Sequence, residues 1–314
     1  MRYLPNGKQM SEADAHTIHK IGIPSLVLME RAALQIVETM HKKNISTEKS
    51  LIVCGSGNNG GDGFAVARLL TEQGKHADVL FAGKEASLSE ECRCQKQIVE
   101  NMGISVFTEF PDEEYTVIID AVFGVGLCRE ITGHYKDVID WMNLQDTEKV
   151  AVDIPSGICA ATGEILGTAF RADLTVCMAC VKLGCELFPG KSYAGESIPV
   201  AIGIDPNYFS NRLDVCYTFD KNELGKLLPA RMMNSHKGSY GKVLMITGSP
   251  GMAGAAFLSA CAAYTVGAGL VQIYTASENR LALQELLPEA IISCYDSYDD
   301  NQLSRLLDWA DVVC

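Results

Sequence analysis

The chain has 314 residues, enough for two domains of ordinary size. Hydrophobic residues make up 47% and charged residues 21%, the balance of a folded globular protein. A formal net charge of −13 argues against a nucleic-acid binder that works by general phosphate attraction, although a local loop can still hold a small anion.

From the N-terminus, Ser11-Glu12-Ala13-Asp14 reads as a capping box that starts the first helix. Gly22 and Pro24 interrupt it, and a second helix runs from Ser25 to about Lys42. Its Met29, Ala32, Ala33, Ile36, Val37 and Met40 recur at helical spacing and read as core. Strands are expected at 51–54, 77–81, 104–107, 117–120, 150–153, 174–181 and 213–219. Helices are expected at 64–73, 90–102 and 135–143. Such alternation, with continuous apolar strands, defines an α/β fold with a parallel sheet covered on both faces.

A break falls near residue 220, and residues 228–238 are polar and turn-rich. A second series follows: strand 243–247, helix 255–266, strand 270–275, helix 277–287, strand 290–293, helix 301–309 and a final strand at 312–314. No charged side chain lies between Lys242 and Glu278. Gly248-Ser249-Pro250-Gly251 and Gly267-Ala268-Gly269 nevertheless cut that run into pieces too short for a membrane span. The twelve cysteines sit mostly in apolar runs, where a free thiol packs as a small hydrophobe. With no apolar signal core after Met1, the expected compartment is reducing and cytoplasmic.

Three strand ends carry chemistry. Gly55-Ser56-Gly57-Asn58-Asn59-Gly60-Gly61-Asp62-Gly63 follows a strand and opens a helix, so its backbone N–H groups can face an anion such as a pyrophosphate. An ordinary dinucleotide fold would place an acid at the end of the next strand, but Ala82-Gly83-Lys84-Glu85 has no convincing one there. There is no Gly-Lys-Ser/Thr of a triphosphate loop. The second strand end is Asp120 with Gly124-Val125-Gly126-Leu127-Cys128-Arg129-Glu130, and the third is Asp153-Ile154-Pro155-Ser156-Gly157. A lone strand-end Asp is usually a turn residue, whereas three such loops converging beyond one sheet edge read as a site. Asn59, Asp120 and Ser156 form an oxygen set for a hard cation, and spacing alone does not choose among K+, Na+ and Mg2+. Asp153 is then the candidate for proton transfer.

Other features take plainer readings. Cys177-Met178-Ala179-Cys180 lies in an apolar strand without a second pair and reads as core rather than a metal or redox motif. Cys92 and Cys94 read as incidental on a polar helix, Trp141 and Trp309 as packing, and His236-Lys237-Gly238 either as a contact to a ligand phosphate or equally as an interdomain linker.

These motifs together resemble the NAD(P)H-hydrate epimerase family, and Thr162-Gly163, Ala172-Asp173-Leu174-Thr175 and Lys182-Leu183-Gly184 agree with it. The stretch from His236 to Val243, Gly251-Met252-Ala253-Gly254-Ala255-Ala256 and Gly267-Ala268-Gly269-Leu270 resemble the start of an ADP- or ATP-dependent NAD(P)H-hydrate dehydratase. The fused pair resembles the bifunctional repair enzymes of bacteria. The resemblance implies a Rossmann-like three-layer αβα domain over 1–219 and an incomplete ribokinase-like domain over 220–314. It implies an isomerase that interconverts the R and S forms of nicotinamide hydrated at C6, with a lyase that restores the S form at the expense of ADP or ATP with Mg2+. By carry-over, Asn58, Asn59, Gly60, Gly61, Asp62 and Gly124 to Glu130 hold the phosphates and ribose. Asn59, Asp120 and Ser156 bind K+, Asp153 meets the nicotinamide end, and Ala255 marks one wall of the dehydratase pocket. The second acid/base group stays unassigned. The second unit is expected to be a truncated part of a longer protein, inactive as a dehydratase. A homo-oligomer is compatible, with neither nucleic acid nor membrane as partner. The competing functions are a hydride-transferring dehydrogenase, motivated by Gly55-x-Gly57-x-x-Gly60, and a non-catalytic nucleotide-binding module.

Overall fold

The apolar strands assemble by the alternation of their side chains. A computed structural model of the chain describes residues 1–314 except Pro206, Pro229 and Tyr298. Pro229 belongs to the turn-rich 228–238 segment, so that part of the reading lies outside the described residues. Two units separate, Met1–Asp220 and Lys221–Cys314.

In the first unit the elements are β1 (Arg2–Leu4), α1 (Gly7–His16), α2 (Ser25–Lys42), β2 (Lys49–Cys54), α3 (Asn58–Glu72), β3 (His76–Phe81), α4 (Glu90–Asn101), β4 (Val106–Phe107) and β5 (Val117–Ala121). There follow α5 (His134–Leu144), β6 (Glu148–Val152), β7 (Leu174–Met178), the single turns α6 (Leu183–Glu186) and α7 (Lys191–Ala194), β8 (Glu196–Val200) and β9 (Cys216–Thr218). Seven strands form one parallel sheet in the order β4-β3-β2-β5-β6-β7-β8. Ile52 and Cys54 point to one face, where they pack with Ala33, Ile36, Phe64 and Val99 of α2, α3 and α4. Leu51 and Val53 point to the other, where Val138, Ile139 and Met142 of α5 cover them. The period of two in each strand thus builds three layers.

Several expectations need correction. The cap of α1 is Asn6, whose side chain accepts from Gln9 N at 3.0 Å while Gln9 Oε1 accepts from Asn6 N at 2.9 Å. Ser11 is therefore inside the helix, because Asn6 and Gln9 form the reciprocal pair one turn earlier. Residues 213–219 do not join the main sheet. Only Cys216–Thr218 are extended, and they pair antiparallel with β1. The seventh strand is instead β8, which carries Glu196, Ser197 and Pro199 and takes the edge position that tolerates them. Helix α3 begins at Asn58 rather than near Phe64, so the Gly-rich run is largely the first turns of the helix. Cys92 is not incidental: it is fully buried against α3, its thiol lies 3.6 Å from the Gly55 carbonyl, and burial pushes its pKa up to about 12.

The second unit contains α8 (Lys221–Leu227), β10 (Lys242–Ile246), α9 (Ala253–Val266), β11 (Leu270–Ala276), α10 (Arg280–Leu286), β12 (Ile291–Tyr295), α11 (Asp300–Trp309) and β13 (Val312–Val313). Its four strands are parallel in the order β12-β11-β10-β13. The uncharged stretch after Lys242 is a βαβ crossover, with Ala256, Ala260 and Ala263 of α9 packed on Val271 and Ile273. Among the described residues no helix is long and apolar enough to cross a membrane.

Candidate active site

In the main sheet, chain order reverses between β2 and β5. Ligands of open α/β sheets bind beyond the carboxyl ends of strands at such a reversal. The Gly-rich turn follows β2, Asp120 lies at the end of β5, and Asp153 follows the neighbouring strand β6. Strand order thus places the three sequence motifs side by side, and a cleft of about 670 Å³ opens over them.

The floor is tight because three helical glycines have no Cβ to spare. A Cβ on Gly60 would lie 2.0 Å from the Gly55 carbonyl oxygen, one on Gly61 would lie 2.5 Å from Met29 Cε, and one on Gly63 would lie 2.5 Å from Ala121 Cβ. The N-terminus of α3 is thereby pressed into the sheet with its amides toward the cleft. Ser56, Gly57, Asn58, Asn59 and Asp62 line it from this side. Gly124, Val125, Gly126, Leu127, Cys128 and Arg129 line it from the turn after β5. Gly60 and Gly61 are buried beneath the lining, Glu130 is exposed and not part of it, and Ala255 is an exposed residue of the second unit.

Asp120 is wholly buried beside the cleft. Its Oδ1 accepts from Ser156 Oγ at 2.6 Å and from Val122 N at 3.1 Å, and its Oδ2 accepts from Ser156 N at 2.7 Å. Burial pushes its pKa up to about 6, against the lowering effect of those bonds. Phe123 N donates to Ser156 Oγ at 2.8 Å, which joins this group to the 122–124 turn. A Cβ on Gly124 would lie 3.3 Å from Asn59 Cβ, Cγ and Oδ1, so the Asn59 amide abuts the same turn. Asn59 Nδ2 is buried with no hydrogen-bond partner among the described residues, and the oxygen and nitrogen of such an amide exchange places by a flip.

Asp153 has φ +70°, in the left-handed region that a non-glycine residue occupies only when its surroundings hold it there. Its Oδ1 takes both of its side-chain hydrogen bonds, from Met178 N at 2.9 Å and from Lys182 Nζ. Lys182 is fully buried, and it also donates to the Met178 carbonyl at 3.0 Å. The ion pair raises the ammonium pKa although burial opposes the charge. Asp153 lines the cleft, and its Oδ2 carries no protein hydrogen bond among the described residues.

Sequence reasoning missed three residues here. Lys182 was part of a family motif without a role. Only the fold shows that the turn after β7 carries it under Asp153. Asp14 lines the cleft from α1. Burial and the Asp153 charge push its pKa up to about 6, with Lys182 pulling the other way. Lys84 also lines the cleft, and its backbone N donates to Ser56 Oγ at 2.8 Å. The strand end that lacked an acid supplies a cation instead. The Cys177 and Cys180 pair behaves as core sulfur: both are free, Cys177 fully buried and Cys180 half-buried.

A three-layer αβα unit whose cleft combines a glycine-packed helix N-terminus with strand-end carboxylates defines a nucleotide-handling enzyme of Rossmann-like architecture. Comparison with known proteins narrows this. Residues 25–184, about half of the chain, match the YjeF-related protein N-terminus family, and residues 243–314 match the NAD(P)H-hydrate dehydratase family. An NAD(P)H-hydrate epimerase of Oenococcus oeni is 42% identical over 201 residues, which cover 63% of this chain and 96% of that protein. The bifunctional NAD(P)H-hydrate repair enzyme Nnr of Coxiella burnetii is 33% identical over 315 residues, covering 100% of this chain and 64% of that enzyme. In fold, the crystal structure of the yeast protein ynu0 matches with a TM-score of 0.55 at 17% identity, over 68% of this chain and 99% of that one. The chain belongs to the NAD(P)H-hydrate epimerase family, with a segment of the dehydratase family following in the same polypeptide.

Proposed function

We propose that residues 1–219 interconvert the R and S forms of hydrated NADH and NADPH in the cleft at the end of β2, β5 and β6. The observation that carries this reading is Asp153. Its carboxylate is ion-paired on one oxygen to a buried lysine and open to the cleft on the other. Such a group can accept or return a proton at the water that leaves and rejoins C6 of the hydrated ring. The α3 N-terminus and the turn 124–129 accommodate the pyrophosphate and riboses, with Lys84 and Arg129 as the cations in the lining. Met10, Met29, Leu28 and Ile202 supply apolar wall against which a ring can lie.

K+ fits the residues present. Asp120 accepts three hydrogen bonds and keeps acceptor capacity, Ser156 supplies a hydroxyl oxygen, and the unpartnered buried amide of Asn59 supplies its oxygen when flipped. Bound there, the cation would supply positive charge next to the phosphate-binding turn. Residues 220–314 carry a ribokinase-like segment of the dehydratase family on this reading, and the reaction proposed for a dehydratase domain of this kind is ADP- or ATP-dependent, Mg2+-assisted dehydration of the S form, with Ala255 on one wall of its pocket. All twelve cysteines are free thiols, which supports a reducing, cytoplasmic setting.

The test is incubation of the purified chain with R hydrate while the R/S ratio is followed by chromatography. Equilibration faster than the spontaneous rate is expected, and its absence overturns the proposal.

A further inference from the structure

Three carboxyls reach the cleft from three different elements: Asp14 from α1, Asp62 from α3, and Asp153 after β6. Among the described residues, only Asp153 of the three has a hydrogen-bond or ion-pair partner. The side chains of Asp14 and Asp62 make no hydrogen bond or ion pair among the described residues, although both are half-buried. A single ammonium, Lys182, stands behind the group, and it is already committed to Asp153 Oδ1. Burial and the neighbouring carboxyl charges raise the proton affinity of both Asp14 and Asp62, with Lys182 pulling the other way.

Resting on the epimerase reading, we infer that Asp14 is the second catalytic residue, the proton donor that works opposite the ion-paired carboxylate of Asp153. In one direction Asp14 protonates the C6 hydroxyl. The C–O bond breaks with its electron pair leaving as water, and the ring nitrogen lone pair forms the N1=C6 iminium. Water then adds to C6, the iminium electrons return to nitrogen, and the proton released passes to a carboxylate. The other epimer results with no change of oxidation state and no further reactant. The positions fit two roles: Asp153 is fixed by Lys182 and by the Met178 N–H, whereas Asp14 is unpartnered and faces the ligand space. Pairs of carboxyls pushed apart by environment divide acid and base work in this way.

Asp14 suits the donor role better than Asp62. Its pKa of about 6 lies close to a working pH, while burial and the charges of Asp153 and Asp14 raise Asp62 well above its ordinary value. The charged groups facing Asp14 are Asp62 from α3, Asp153 from the β6 end and Lys182 from the β7 end, with Lys84 and Arg129 elsewhere in the lining. On its own helix, Glu12 is tied to Arg212 at 2.6 Å and the His16 ring packs at a tilt against Tyr208.

The experiment follows R/S equilibration from pH 5 to 9, with the spontaneous rate subtracted at each pH, and measures NADPH affinity for each variant. Wild-type acceleration must be present first, and its absence would sink the epimerase reading rather than this assignment. With it present, Asp14→Asn is expected to lower kcat by about 100-fold or more. It should leave NADPH affinity within about threefold and abolish the fall in kcat as pH rises, while Asp14→Glu restores a shifted limb. If Asp14→Asn does not fold, Asp14→Ser is read the same way. A kcat within about threefold of wild type with an unchanged limb overturns the assignment, as does loss of that limb in Asp62→Asn instead.

Discussion

Lys182 and Asp153 form an ion pair in which the ammonium has no solvent exposure and the carboxylate side chain keeps 12%. The pair is asymmetric: the lysine is a fixed interior charge, and the aspartate is its outlet to the cleft. Because removal of one partner leaves the other buried and uncompensated, Lys182→Met should cost about 3–5 kcal/mol of stability. Urea unfolding checks this. The double variant Asp153→Asn with Lys182→Met should lose less than the sum of the single losses, and strict additivity would contradict the pairing.

Asp14 gives a pH dependence whose sign can be worked out. Its folded pKa, about 6, lies above the ordinary 3.8, so the native state holds an extra proton between those values. Stability therefore falls as pH rises from about 4 to about 6, and Asp62, also raised by burial, acts in the same direction. Asp14→Asn removes its share of that loss. Its melting temperature should match wild type near pH 4 and exceed it by a few degrees at pH 7, equivalent to about 1–3 kcal/mol. A difference that does not change with pH would refute the placement of Asp14 beside Asp153.

Ser156 ties Asp120 to the Phe123 amide. Ser156→Ala removes the 2.6 Å bond to Asp120 and leaves the Phe123 N–H without its 2.8 Å acceptor. A loss of about 1–3 kcal/mol is expected. If the cation assignment holds, the variant should also need several-fold more K+ for half-maximal epimerisation. Titration of KCl against choline chloride at constant ionic strength measures this, and an unchanged K+ requirement counts against the assignment.

Gly60 has no room for a methyl group. Its replacement by Ala would set a Cβ 2.0 Å from the Gly55 carbonyl, a backbone atom that cannot rotate away. Gly60→Ala should lose about 1–3 kcal/mol and weaken nucleotide binding together, because the turn that would move is the one facing the phosphates. Gly57→Ala, with open space at its Cβ, should not show this steric loss. Parallel thermal melts and NADPH titrations compare the two.

The thiols divide by burial. Cys94, Cys128, Cys216 and Cys314 are exposed and should react with a disulfide reagent in the native protein. Cys54, Cys92, Cys177 and Cys185 are buried and should react only on unfolding. Mass spectrometry after brief labelling reads the pattern, and rapid native labelling of Cys177 would contradict its place in the core of β7.

The sequence by itself determined the strands β2 to β7 and the helices α2 to α5, because those strands carry apolar runs and α2 shows its face by period, whereas β1, β8 and the short helices α6 to α8 went unread. It also placed Asn59, Asp120, Asp153 and Ser156 at strand ends, since glycine and acid after an apolar run mark where a chain leaves a sheet. Tertiary structure decided what those residues meet. Strand order put β2 beside β5, and that order depends on long-range pairing that no local pattern encodes. Edge position allowed β8 its Pro199, so a strand formed where local propensity opposed one. The role of Lys182 was invisible for the same reason: it lies 29 positions from Asp153, and only the parallel pairing of β6 with β7 carries the two side chains to one point. Asp14 looked like part of a helix cap until the fold turned α1 toward the cleft, where a carboxyl without a partner has only the ligand to answer to.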